Sequence, residues 1–126
     1  MENRHTRELL ESDQSLKHLC GLLNQTTPQD EIVLALNRLD QAGWDTLLDT
    51  SMWHGIKPLI YSRFKSIFGK ATIPTSIQND LHDAYLDTAR KNTLILHHTT
   101  SLLRELKARE IEVIGLKGIY LVENIY

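Results

Sequence analysis

Apolar residues recur along this chain at steps of three and four, the spacing that lays one buried stripe along an α-helix. From roughly Arg4 to Leu23 the stripe is Leu9, Leu16, Leu19, Leu22 and Leu23, and Ser12 with Asp13 marks a place where that helix can divide. The polar run from Asn24 to Thr27 reads as a loop, and Thr27 with Pro28 predicts the cap and first turn of a second helix reaching about Leu39. Past Gly43, Trp44, Leu47, Leu48 and Met52 form the inward side of a third helix, which Gly55 closes. Pro58 sits in the first turn of a fourth, running through Leu59, Ile60, Phe64 and Ile67.

Gly69 to Pro74 is the next break, and neither glycine nor proline occurs from Thr75 to Glu110. Ile77, Leu81, Ala84, Tyr85, Thr88, Ile95, Leu102, Leu103 and Leu106 keep the helical step across that stretch. One long helix is predicted, and at about 1.5 Å per residue it would span roughly 50 Å. His97, His98, Thr99, Thr100 and Ser101 are poor helix formers placed together, so a bend or a split is expected there if anywhere.

The pattern then changes. Ile111, Glu112, Val113, Ile114, Gly115, Leu116, Lys117 and Gly118 read as a β-strand feeding a terminal helix through a glycine. The expected fold is mainly α: a bundle of five to six helices over residues 1–109, then one short C-terminal strand and helix over 110–126. A lone strand cannot satisfy its own backbone, and no second strand is evident upstream. Its partner must come from further residues or from another molecule, which makes a homodimer through the C-terminal strand and helix one expectation.

Composition narrows the class. With 126 residues, 41% hydrophobic and 24% charged, the chain suits one ordinary globular core. A net charge of −2 supplies no general attraction to nucleic acid or to anionic membranes. Cys20 is the single cysteine, which rules out an internal disulfide or a multi-cysteine zinc site, and it is expected to be a small core residue between Leu19 and Leu22. The N-terminal residues lack a signal-peptide core and no apolar run has membrane-spanning length, so a cytoplasmic setting is expected.

Candidate chemistry is sparse. Phosphates are commonly held where a strand turns into a helix, which makes Lys117 and the Gly118 amide candidate phosphate contacts; that the phosphate belongs to a nucleotide is only what the family resemblance given below implies. His54 lies beside a helix-ending glycine, but no cysteine or carboxylate stands at metal-ligand spacing from it, so a capping or packing role is favoured. His97 and His98 are adjacent in sequence and point to different helix faces, unlike an i, i+4 ligand pair. Lys57, Arg63, Lys65 and Lys70 interleave with Trp53, Tyr61, Phe64 and Phe68 between Met52 and Asn79, a stretch without acids. The two readings are a phosphate-binding surface or an amphipathic wall with aromatics inward, and the second is favoured. Arg90 and Lys91 sit mid-helix and read as solvated charge; support for a nucleotide site is only what the family resemblance given next implies for them.

Together these pieces carry a resemblance. Trp53-His54-Gly55-Ile56, Pro58-Leu59-Ile60-Tyr61, the Ile73-Pro74 helix start, Ala84-Tyr85-Leu86 with Ala89-Arg90-Lys91-Asn92, and Ile111 to Gly118 occur in an order similar to the uncharacterised nucleotidyltransferase family, whose catalytic fold is DNA polymerase β-like. The likeness covers about Trp44 to Tyr126. It implies a full-length protein that moves a nucleoside monophosphate from an NTP to an acceptor using Mg²⁺. Leu116-Lys117-Gly118 would be the turn that opens its active site, with lysine in place of a small residue. The family's metal-binding Asp-hydrophobic-Asp pair follows that turn, yet this chain has no aspartate after Asp87 and only Glu123 as an acid after Gly118. The expectation is an inactive N-terminal portion of such a protein, with no catalytic or metal-binding residue of its own. The alternative is a non-enzymatic helical module that self-associates through its C-terminal strand.

Overall fold

A computed structural model describes residues 16–115, in which five α-helices follow one another: α1 over residues 16–23, α2 Gln29–Asn37, α3 Gln41–Trp53, α4 Lys57–Phe64 and α5 Thr75–Ala108. A single 3₁₀ turn, Lys65–Ile67, extends α4. The breaks at residues 24–28, at Gly55 and at 69–74 fall where sequence singles them out, but Gly43, expected to separate α2 from α3, lies inside the first turn of α3, which Asp40 starts; α5 runs unbroken through His97 to Ser101. Within it the hydroxyls of Thr93 and Ser101 donate to the carbonyls four residues back, at 2.8 and 3.0 Å. Poor helix formers are thereby absorbed without a break.

By packing, the chain divides into two compact units between Tyr85 and Leu86. The first is organised by one core. Leu19 and Leu22 from α1, Ile32 and Leu36 from α2, Trp44 and Leu47 from α3, Ile60 and Phe64 from α4, and Ile77 and Leu81 from α5 are buried together, with Ile67 and Ile73 from the connection. Each short helix presents a stripe of two apolar residues at three- or four-residue spacing, so each must share this core to persist.

The helix ends show how local sequence sets the corners. Asp40 caps α3 by accepting the Gly43 amide at 2.8 Å. Thr27 does not cap α2 as expected; Pro28 occupies that position, and the Thr27 hydroxyl instead donates to the Gly21 carbonyl at 2.8 Å, tying α1 to the loop. At the other end of α3 the Ile56 amide reaches back to Ser51 and the Gly55 amide to Met52, at 2.9 and 3.0 Å, with Gly55 at φ +64°. This double-bonded reversal turns the chain into α4. Ser51 is the one fully buried polar side chain among the described residues, and its hydroxyl donates to the Leu48 carbonyl at 2.7 Å.

In the second unit the predicted strand is not formed. Residues 111–115 carry no regular secondary structure, and the Ile111 amide is committed to the Leu106 carbonyl at 3.0 Å as part of the α5 cap. Among the described residues no other strand offers an edge, so β-branched composition alone could not create a ladder. Leu116 to Gly118 and the expected terminal helix lie outside the described residues. In the first unit two expectations fail: Cys20 and Met52 are exposed rather than buried.

Gly55→Ala tests the reversal cleanly, because an added Cβ would meet nothing within 4 Å and only the backbone would object. A left-handed residue other than glycine costs about 1–2 kcal/mol, so the thermal midpoint of the variant should fall by roughly 4 °C or more.

Candidate functional site

The α3–α4 corner concentrates the chemistry-bearing residues of the first unit. Trp53 ends α3 with 84% of its surface exposed, His54 follows as the exposed C-cap residue, and Lys57 begins α4. The exposure of Trp53 contradicts the expectation that the aromatics of this stretch face inward. Its position is legible from the helical step: nine residues separate it from buried Trp44, half a turn out of phase. Phe64, by contrast, is fully buried, and Tyr61 and Phe68 are partly so.

Tyr61 is the centre of a ring cluster. Its ring lies 4.9 Å from Tyr85, 5.3 Å from His82 and 5.7 Å from Phe68, all tilted rather than stacked flat. These contacts fix the face of α4 against the start of α5. Alongside them the Lys57 ammonium meets the Asp80 carboxylate at 2.7 Å, joining the same two helices by charge.

The basic residues of the stretch therefore divide by task. Lys57 is held by Asp80, and Arg63 works as a strap: one of its terminal nitrogens donates to the Asn24 carbonyl at 3.1 Å and to the Thr27 carbonyl at 2.9 Å. The guanidinium so closes the loop between α1 and α2 onto α4, while its buried Nε has no partner. Sequence reading did not find this role, because the acceptors are backbone carbonyls almost forty residues away. Lys65 and Lys70 remain exposed.

The other described residues singled out from sequence have local settings of their own. The His54 amide bonds back to Thr50, which makes it a helix-end residue. In the second unit Lys91 pairs with Asp87 one turn earlier at 2.6 Å, and Arg90 is exposed. The His97 and His98 rings meet edge to face at 5.7 Å on the exposed surface of α5. Lys117 and Gly118 lie outside the described residues. Among the described residues, no group of three or more His, Cys, Asp and Glu side chains is placed to hold a metal ion, and no helix is long and apolar enough to cross a membrane.

Comparison with known families gives the class. A model described as an uncharacterised nucleotidyltransferase matches residues 40–126, from the Asp40 cap of α3 to the last residue. The chain belongs to this nucleotidyltransferase family. No curated protein and no solved structure matches it.

Arg63→Met takes the guanidinium from the Thr27 carbonyl and leaves the Asn24 carbonyl only the Thr27 amide, and should destabilise the first unit by about 1–3 kcal/mol, read as a lower urea midpoint. Lys70→Met, at an exposed position, should stay within about 0.5 kcal/mol of the parent.

Proposed function

We propose that this chain is the helical part and opening turn of a nucleotidyltransferase, and that it does not transfer nucleotides by itself. The observation that carries the reading is the family match over residues 40–126, which includes Leu116-Lys117-Gly118 and stops short of any aspartate pair. In the complete protein, Mg²⁺ bound to paired carboxylates would assist transfer of a nucleoside monophosphate from an NTP to an acceptor. Among the described residues no three His, Cys, Asp or Glu side chains stand together, so in this reading the ligands for that metal come from elsewhere in the complete protein. Glu123, the single acid after Gly118, cannot supply two-metal geometry alone.

What these residues supply is support and a phosphate contact. The first unit holds α3, α4 and the start of α5 on one core, and α5 leads the chain toward the turn. In this reading Lys117 contributes charge and Gly118, as a glycine, a backbone amide free of a side chain for the phosphates of the nucleotide. His54 and Lys91 act structurally, as helix cap and as the partner of Asp87, and Arg90 is a solvated charge.

Calorimetric titration separates the outcomes. The 126-residue chain should show no Mg²⁺-dependent affinity for ATP, whereas a longer form that adds an Asp-hydrophobic-Asp pair after Tyr126 should bind MgATP and lose binding when those aspartates become asparagine. Metal-dependent binding by the 126-residue chain itself would overturn the reading.

A further inference from the structure

Two sets of residues along α5 keep a strict seven-residue step. Leu81, Thr88, Ile95 and Leu102 form one set, and Tyr85, Asn92, Thr99 and Leu106 the other, interleaved at spacings of four and three. This is the repeat of a coiled-coil seam, kept for about three and a half heptads, with Arg90, His97 and Arg104 on the opposite, outermost line.

The seam has two fates. Leu81 is fully buried in the core of the first unit, and Tyr85 is half-buried in the ring cluster around Tyr61. Further along, in the second unit, Ile95 and Leu102 are 51% and 58% exposed. The described residues beyond the helix, 111–115, are exposed themselves. An apolar seam of this kind calls for a partner helix.

The flanks of the seam identify that partner. One side carries Ala89, Leu96 and Leu103, each one residue after a member of the first set, and all three are apolar. The other side carries Lys91, His98 and Glu105, each one residue before a member of the second set. In an antiparallel helix pair like flanks face each other, whereas in a parallel pair each flank faces the opposite one. A second α5 laid antiparallel therefore sets apolar against apolar and charged against charged.

The register follows from the same pattern. With the two-fold axis midway between Ile95 and Thr99, each of these meets the other's counterpart, Asn92 meets Leu102, and Thr88 meets Leu106. On the apolar flank Leu96 meets its own copy and Ala89 makes room for Leu103. On the charged flank His98 meets its own copy, and Lys91 stands opposite Glu105 twice over, because the contact is isologous. Both residues hold exposed ion pairs along their own helix, Lys91 with Asp87 at 2.6 Å and Glu105 with Arg109 at 2.8 Å, and such pairs are weak enough in water to be shared. A parallel pair would align Asn92 with Asn92, a known register device, but it would set the apolar flank against Lys91 and His98 and place Glu105 opposite Glu110.

We propose that α5 is a dimerisation helix whose second half, residues 88–106, pairs antiparallel with the same segment of a second copy. The contact covers Ile95 and Leu102 and joins Lys91 of each copy to Glu105 of the other. It needs no C-terminal strand.

Sedimentation of the 126-residue chain between about 1 and 200 µM should show a dimer that forms with rising concentration. Lys91→Glu and Glu105→Lys should each weaken association by about tenfold, because two attractive pairs per dimer become repulsive. The double swap should return it to within about threefold of the parent. Changes that each substitution makes along its own helix persist in the double swap, so rescue reads the contact between copies alone. Ile95→Asp with Leu102→Asp should give a monomer, while unchanged hydrogen exchange in α2, α3 and α4 reports an intact first unit. A parent that stays monomeric over the whole range sinks the proposal, as does a dimer that survives the paired aspartates. Tighter association of Glu105→Lys would reject the antiparallel order in favour of the parallel one, and a double swap as weak as either single variant would reject the charge pairing.

Discussion

Helices of eight to thirteen residues are marginal in water on their own, and α2, α3 and α4 all fall in that range. Their existence depends on sharing one buried cluster, with Leu36, Ile60, Phe64 and Leu81 completely shielded. Other features of the first unit serve that sharing. The Asp40 cap and the Gly55 reversal aim α3 and α4 so that Trp44, Leu47, Ile60 and Phe64 meet, and the Arg63 strap holds the α1–α2 loop down over them. Removing a cap changes where a stripe points before it changes how much surface is buried.

The polar contacts gain their weight from position rather than from number. Lys57–Asp80 is partly exposed and so contributes on the order of 0.5 kcal/mol, the scale of a solvated ion pair. Arg63 matters more because it ties loop backbone to α4, donating to the Thr27 carbonyl and sharing the Asn24 carbonyl with the Thr27 amide. In this region Arg63 fastens backbone and Lys57 is held by Asp80, which leaves Lys65 and Lys70 exposed and less charge available for a ligand than the run of basic residues suggests.

Much of the helical layout was readable from the sequence. Proline at positions 28, 58 and 74 and glycine at 55 and 69 bracket the helices, whereas Gly43 lies inside the first turn of α3, and the three-four step gives the buried pairs of α1, α3 and α4. Three things escaped. Trp53 was placed inward by its residue type, although its phase opposes Trp44. Cys20 was placed inward by its neighbours, although Leu19 and Leu22 already fill that face. The strand was read from β-branched residues, but pairing is a property of two segments and only one is present among the described residues. The candidate phosphate turn, resting on Lys117 and Gly118, was legible only as a motif.

The family likeness begins at residue 40, yet the core does not. Leu19, Leu22, Ile32 and Leu36 all precede that point, and Asn37 also accepts the Thr72 amide at 2.6 Å from the far side of the unit. The seam at which this chain becomes recognisable is therefore not a seam at which it can be cut. A piece starting at Asp40 would keep the cap of α3 and lose one wall of the cluster it packs on, exposing Trp44 and Phe64 to water. Any recombinant boundary, fusion point or transplanted core drawn from sequence kinship alone would fall through the middle of a folding unit.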